Sequence, residues 1–154
     1  MKRKKRTAMI PILAAGILLC LVAAFLLPNP MMLRNRYGLR EQIRSAEGET
    51  VVLHQLTPFA WDAVYTFRPY TSKEEIAHTI GFHSGSIQET VSEGMTQLLF
   101  VEEDRVVCSV CAYPKSAGYG VSDLPQNRAI YNEAESPRFR VERRGEILWL
   151  QYLD

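Results

Sequence analysis

Asp62 stands inside an extended, aromatic-rich segment, Trp61-Asp62-Ala63-Val64-Tyr65, where a carboxylate could serve as a general acid or base. If buried there it needs a partner, such as Arg68 or backbone amides, to offset desolvation. Acid-base catalysis also needs a second positioned group, and none lies near it in sequence. A solvent-facing or salt-bridged strand residue is therefore the default reading of Asp62, with a functional acid as the alternative. His54, His78 and His83 could join Cys108 and Cys111 around zinc. Zinc ligands usually come in close pairs, however, and His78 and His83 lie across a helix end without sharing a face, so surface or capping histidines and no metal are expected. Gly81-Phe82-His83-Ser84-Gly85-Ser86 leads toward a helix start whose amides could hold an anion. It is neither a P-loop nor a nucleophile elbow, and a cap with a turn is the expected reading. No serine, threonine or cysteine sits in the context of an activated nucleophile, and no motif asks for a cofactor.

Contact chemistry is better represented. Tyr113, Tyr119 and Tyr131 lie in or beside a long connection, and tyrosine joins apolar area to a polar tip, so these three form the candidate binding surface. The alternative is that they fold back onto a sheet. Arg138, Arg140, Arg143 and Arg144 could face anionic lipid or an acidic partner, or simply guard an exposed strand edge.

The elements that must position these groups begin near Val51. Residues 51–53 form a short β candidate, and 61–67 a stronger one with Trp61, Ala63, Tyr65 and Phe67 on one face, stopped by Pro69. Ser72 with Glu75 makes a capping box, Ile76 and Ile80 share a helical face, and Gly81 supplies the left-handed stop, which together predict a short helix. Ser86 with Glu89 repeats the capping signature and predicts one or two further turns. Residues 97–101 and 105–112 form a hairpin across Glu102-Glu103-Asp104, and 139–142 and 146–153 form another across Arg143-Arg144-Gly145. The connection 114–137 is long for a compact domain, so it holds hidden structure or serves a purpose. One antiparallel sheet packed on one or two helices, an α+β sandwich of two layers over 51–154, accounts for this order. Cys108 and Cys111, three apart in a strand, point to opposite faces beyond disulfide reach and are expected to be small buried side chains.

The N-terminal end decides the compartment. Lys2, Arg3, Lys4, Lys5 and Arg6 form a basic tail over 1–6, and the charge-free apolar run 7–27 would make a helix roughly 30 Å long, enough to span a bilayer. The basic tail places that end in the cytoplasm and sends the C-terminal part outward. A cleavable signal ending near Ala24 is the alternative, while Leu18 and Leu19 before Cys20 argue against a lipidation site. Pro28-Asn29-Pro30 ends the run, and 28–50, with Met32, Leu39 and Ile43 among arginines, reads as a juxtamembrane linker, either a stalk or an amphipathic stretch along lipid. Of 18 basic and 17 acidic residues, removal of the five N-terminal cations leaves 13 against 17, so the outer part is acidic and a nucleic-acid partner is not expected.

The stretch Pro58-Phe59-Ala60-Trp61-Asp62-Ala63-Val64-Tyr65-Thr66-Phe67-Arg68-Pro69-Tyr70-Thr71, followed by a helix ending at Ile80-Gly81 and a hairpin, resembles a pattern in small uncharacterised bacterial exported proteins anchored by a helix or a lipid. The resemblance implies a bacterial envelope protein and carries no activity with it. The expected protein is thus a single-pass membrane protein, held by 7–27, whose extracytoplasmic domain is a non-catalytic binding or accessory module with an envelope partner. The alternatives are an envelope enzyme using Asp62 with a histidine, and a regulatory subunit acting through its membrane helix.

Overall fold

A computed structural model describes residues 29–131 and 137–153. Residues Met31–Asp154 form one compact unit. The apolar run 7–27 lies outside the described residues, and among those described no helix is long and apolar enough to cross a membrane.

The segment expected to be a linker is instead part of the core. Helix α1 (Pro30–Ser45) opens on a proline, whose missing N–H costs nothing at the first helical position. Met32, Asn35, Leu39 and Ile43 are all buried, with Leu39 and Ile43 fully inaccessible. Their spacing builds one apolar stripe, and protein rather than lipid covers it. The approach is close at Gly38, where a Cβ would stand 2.6 Å from Pro58 Cγ.

Among the described residues, eight strands form two sheets where one was expected. The first sheet has the order β4-β3-β2-β6, built from β2 (Ala63–Tyr65), β3 (Thr96–Glu102), β4 (Arg105–Ala112) and β6 (Ile130–Tyr131). The second has the order β1-β7-β8-β5, built from β1 (Thr50–Val52), β5 (Tyr119–Ser122), β7 (Arg138–Arg144) and β8 (Ile147–Tyr152). All pairings are antiparallel except β5 with β8, which makes the second sheet mixed. Each sheet has an apolar face that needs cover, and the two faces supply it together. Val64, Leu98 and Phe100 of the first sheet share one cluster with Phe139, Val141 and Leu150 of the second and with Leu39 and Ile43 of α1. The opposite face of the first sheet carries Ala63, Tyr65, Leu99 and Val101, packed with Ile76 and Ala77 of α3 (Lys73–Ile80) and with Met32 of α1. The protein is therefore α+β, with helices around two small sheets rather than on one face of a single sheet.

Local irregularities follow from side-chain demand. Phe100 pairs Cys108 while Val101 pairs Val106, so Val107 is an extra residue in β4. This bulge lets the consecutive residues Val107 and Cys108 enter the same core cluster, which strict alternation forbids. Asn35 Nδ2 donates to the Val107 carbonyl at 2.9 Å, which satisfies the bulge and ties α1 to the sheet. Trp61 does not share a face with Ala63, Tyr65 and Phe67. The strand begins only at Ala63, and Trp61 turns into the other cluster, edge-on to Phe100, donating through Nε1 to Thr57 Oγ1 at 2.7 Å just after the short helix α2 (Leu53–Leu56).

Helix α3 forms as its caps dictate: Ser72 Oγ accepts from the Glu75 N–H, and Gly81 closes the helix at φ +92°. The expected turns after Ser86 do not form. Glu89 is drawn elsewhere, accepting from the Lys73 N–H at 2.7 Å and so capping α3. The long connection does hold structure, namely α4 (Pro114–Ala117), β5 and β6. Cys108 and Cys111 are both free thiols.

Candidate functional site: an arginine-lined cleft

Strand β5 must run parallel to β8, so the chain leaving β4 has to turn sharply before entering it. The single turn of α4 makes that change of direction, with Pro114 at its start and Gly118 at its end, where φ is +88° and the N–H donates to the Pro114 carbonyl at 2.8 Å. Gly118 also makes room for Arg40, since a Cβ there would stand 2.7 Å from Arg40 Nε. Arg36 and Arg40 are one helical turn apart and face the same way from α1. Between α1 and the β4–α4–β5 segment they line a cleft of about 360 Å³. Ser116 and Tyr119 also line it, with the Tyr119 hydroxyl buried behind the wall, Leu33, Tyr37 and Val110 add apolar surface, and no carboxylate lines it among the described residues.

The cleft leaves polar groups unused. Arg40 Nε and the Tyr119 hydroxyl are buried and have no hydrogen-bond partner. A buried donor without an acceptor costs about 1–3 kcal/mol, which packing elsewhere must offset. Burial pushes the Tyr119 phenol well above its usual range, Cys108 beside it adds to the rise, and Arg36 and Arg40 oppose it. The phenol is thus a protonated donor at neutral pH. Burial likewise lifts the Cys108 thiol to about 12 against the pull of Arg36, and lifts Cys111 in the same way. Neither thiol is a thiolate nucleophile at neutral pH. What remains is an array of donors and positive charge suited to binding an anion.

The residues singled out by sequence do not converge on this cleft. Asp62 is exposed, and its Oδ2 accepts from the Glu103 N–H at 2.7 Å while its own N–H donates to the Val101 carbonyl. The acid therefore fastens the β3–β4 turn, where Glu103 adopts φ +51°. That turn is at the far end of β4 from the cleft, roughly 20 Å away by strand rise. Of the three tyrosines, only Tyr119 lines the cleft, and it is 2% exposed rather than presented at a surface. Tyr113 is exposed at the start of α4, beside the cleft, whereas Tyr131 is exposed on β6 opposite Ala63, in the other sheet.

His54, His78 and His83 are exposed on α2, on α3 and in the following loop, and no three His, Cys, Asp or Glu gather among the described residues. The loop after Gly81 leads to no helix start, because no helix forms after Ser86. The C-terminal arginines sit on β7, an interior strand, so they guard no edge. Arg143 grips Glu47 through two hydrogen bonds of 2.6 Å, and Arg140 and Arg144 lie 3.6 and 3.8 Å from Glu142.

Arg36 and Arg40 were the residues that sequence reasoning passed over. One signal was present: neither has an acid three or four positions away, whereas Arg44 has Glu41 and pairs with it at 3.3 Å. Comparison with protein-family models, curated proteins and solved structures finds no match for this chain.

Proposed function

We propose that this chain is a membrane-anchored, extracytoplasmic binding module of the bacterial cell envelope, non-catalytic, that meets its partner through the face bearing the arginine-lined cleft. The basic tail and apolar run of the sequence support the anchor and its orientation. The observation that carries the binding role is a cleft furnished with donors and positive charge while its neighbouring thiols and phenol are held protonated. Asp62, the basis of an enzymatic reading, is committed to a turn.

Tags at the two termini and a photocrosslinking residue test both parts in intact cells. A protease added outside should remove a C-terminal tag and spare an N-terminal one. A crosslinker replacing exposed Tyr113, beside the cleft, should give a discrete adduct that disappears when Arg36 and Arg40 are both changed to Gln. A protected C-terminal tag overturns the orientation, and an adduct indifferent to the arginines overturns the recognition face.

A further inference from the structure

The geometry points to an oxyanion, a phosphate or carboxylate carried on an apolar body, as the ligand of the cleft, held by Arg36, Arg40 and the Tyr119 hydroxyl. This deepens the binding-module reading and rests on the cleft being its recognition site.

Four observations converge on that chemistry. The first concerns the arginines: Arg44, Arg105, Arg140, Arg143 and Arg144 each lie against a carboxylate of the protein, whereas Arg36 and Arg40, like Arg34 and Arg68 outside the cleft, have no ion pair among the described residues. The second is that two buried donors, Arg40 Nε–H and Tyr119 O–H, lack an acceptor although both residues line one cleft. An incoming oxyanion brings several acceptor lone pairs and negative charge at once, meeting both deficits. The third is rigidity. Arg40 is seated over Gly118, where no side chain intervenes, and α1 is held to the sheet by Asn35 and against Pro58 by Gly38, so the backbone is fixed and only side chains have to shift to uncover the buried Arg40 Nε and Tyr119 hydroxyl to a ligand. The fourth is the other half of the wall: Leu33, Tyr37 and Val110 offer apolar surface, and a volume of about 360 Å³ exceeds what a bare phosphate fills.

The same chemistry could come from a small organic anion or from the headgroup of an anionic lipid. The full chain in neutral detergent micelles is titrated calorimetrically with phenyl phosphate, with benzoate and with inorganic phosphate. Saturable binding of the two aromatic anions is expected, inorganic phosphate binding at least tenfold more weakly. Changing Arg36 and Arg40 together to Gln should lower aromatic-anion affinity at least tenfold, Tyr119→Phe several-fold, and Arg44→Gln, outside the cleft, not at all. Repeating the titration in nanodiscs separates the sources. Weaker phenyl phosphate binding with phosphatidylglycerol than with phosphatidylcholine, in the wild type only, supports the site with a headgroup as occupant; equal affinity supports it with a small anion.

Thermal melts of each variant check folding, and Tyr119→Phe is the variant least able to disturb it. The proposal is overturned if neither aromatic anion binds saturably, or if the doubly substituted chain binds as well as the wild type. A Tyr113 adduct that depends on the arginines in cells, without anion binding in vitro, overturns the ligand class and leaves the binding module standing. Anion binding without such an adduct supports the ligand class and removes the partner.

Discussion

The two ends of strand β4 treat polar groups in opposite ways. At the turn end, Asp62 is exposed, yet its carboxylate takes the Glu103 amide and its own amide joins Val101, so charge and hydrogen-bonding capacity are used to fix a hairpin. At the cleft end, Arg40 Nε and the Tyr119 hydroxyl are buried, yet folding gives them nothing to bond. A conspicuous acid beside a strand thus spends its bonding capacity on a turn, while arginines on a helix keep unspent donors. The lesson is that exposure and residue type say less about a group's free bonding capacity than whether the fold has already consumed it. The distinction can be broken, or sharpened, by removing groups from each end and from the core that separates them.

The largest effect is expected where the two ends share support. Leu39 is fully buried in the cluster that joins α1 to both sheets, and Leu39→Ala should cost about 2–5 kcal/mol in urea unfolding. If 28–50 were a stalk outside the fold, the same change would cost almost nothing, so this measurement also decides the status of α1. Asn35→Ala should follow at about 1–3 kcal/mol, because it strips the Val107 carbonyl of its buried partner while leaving Leu39 and Ile43 in place. A loss no larger than that of an exposed helix substitution would mean that the bulge does not depend on α1.

How much of this was legible depended on the range of the interaction. The caps Ser72 and Gly81 bond within a few residues of themselves, so α3 could be read directly, and both hairpins announce themselves through adjacent strands and tight turns. The pairing of β5 with β8 was hidden because a short, glycine-containing strand finds its partner almost thirty residues away, with no local pattern to mark it. For α1, the spacing of Met32, Leu39 and Ile43 was visible, but periodicity says only that a helix has an apolar face, never what covers it. Glu89 shows the same limit, since its capping signature was genuine but the helix it caps is α3 and not its own segment. The cleft was least legible, because it joins an arginine pair in α1 to a turn some eighty residues later.

Smaller effects belong to the exposed polar groups that the fold has used. Asp62→Ala should destabilise by about 1 kcal/mol through loss of one hydrogen bond at the turn, with anion affinity at the cleft unchanged. An altered affinity would join the two ends that the comparison separates. The Glu47–Arg143 pair offers a pH test of the same principle. Hydrogen bonding to Arg143 holds the Glu47 carboxyl below its ordinary value of 4.5, so the unfolded chain takes up a proton at a higher pH than the folded one does. The stabilisation is fully present above 4.5 and is lost as the pH falls through the depressed folded value. Glu47→Gln should therefore lower stability slightly above pH 4.5 and leave it unchanged below the depressed value, which flattens the acid limb, and the effect is small since both partners are exposed.

The smallest change in stability is the most informative. Tyr119 is packed in the main core, and Tyr119→Phe keeps its ring while deleting a hydroxyl that has no partner. Deleting a satisfied buried hydroxyl destabilises a protein, whereas deleting an orphaned one relieves a desolvation cost, so this variant should be as stable as the wild type or more stable by up to about 1 kcal/mol. Aromatic-anion affinity should nevertheless fall, because the ligand loses a donor. Stability and binding then move in opposite directions, which a purely structural tyrosine cannot produce. Leu39→Ala gives the reference for the structural case, where any loss of binding accompanies loss of the fold. A Tyr119→Phe chain that is clearly destabilised would show that the hydroxyl has a partner within the fold, and the contrast between the two ends of β4 would disappear.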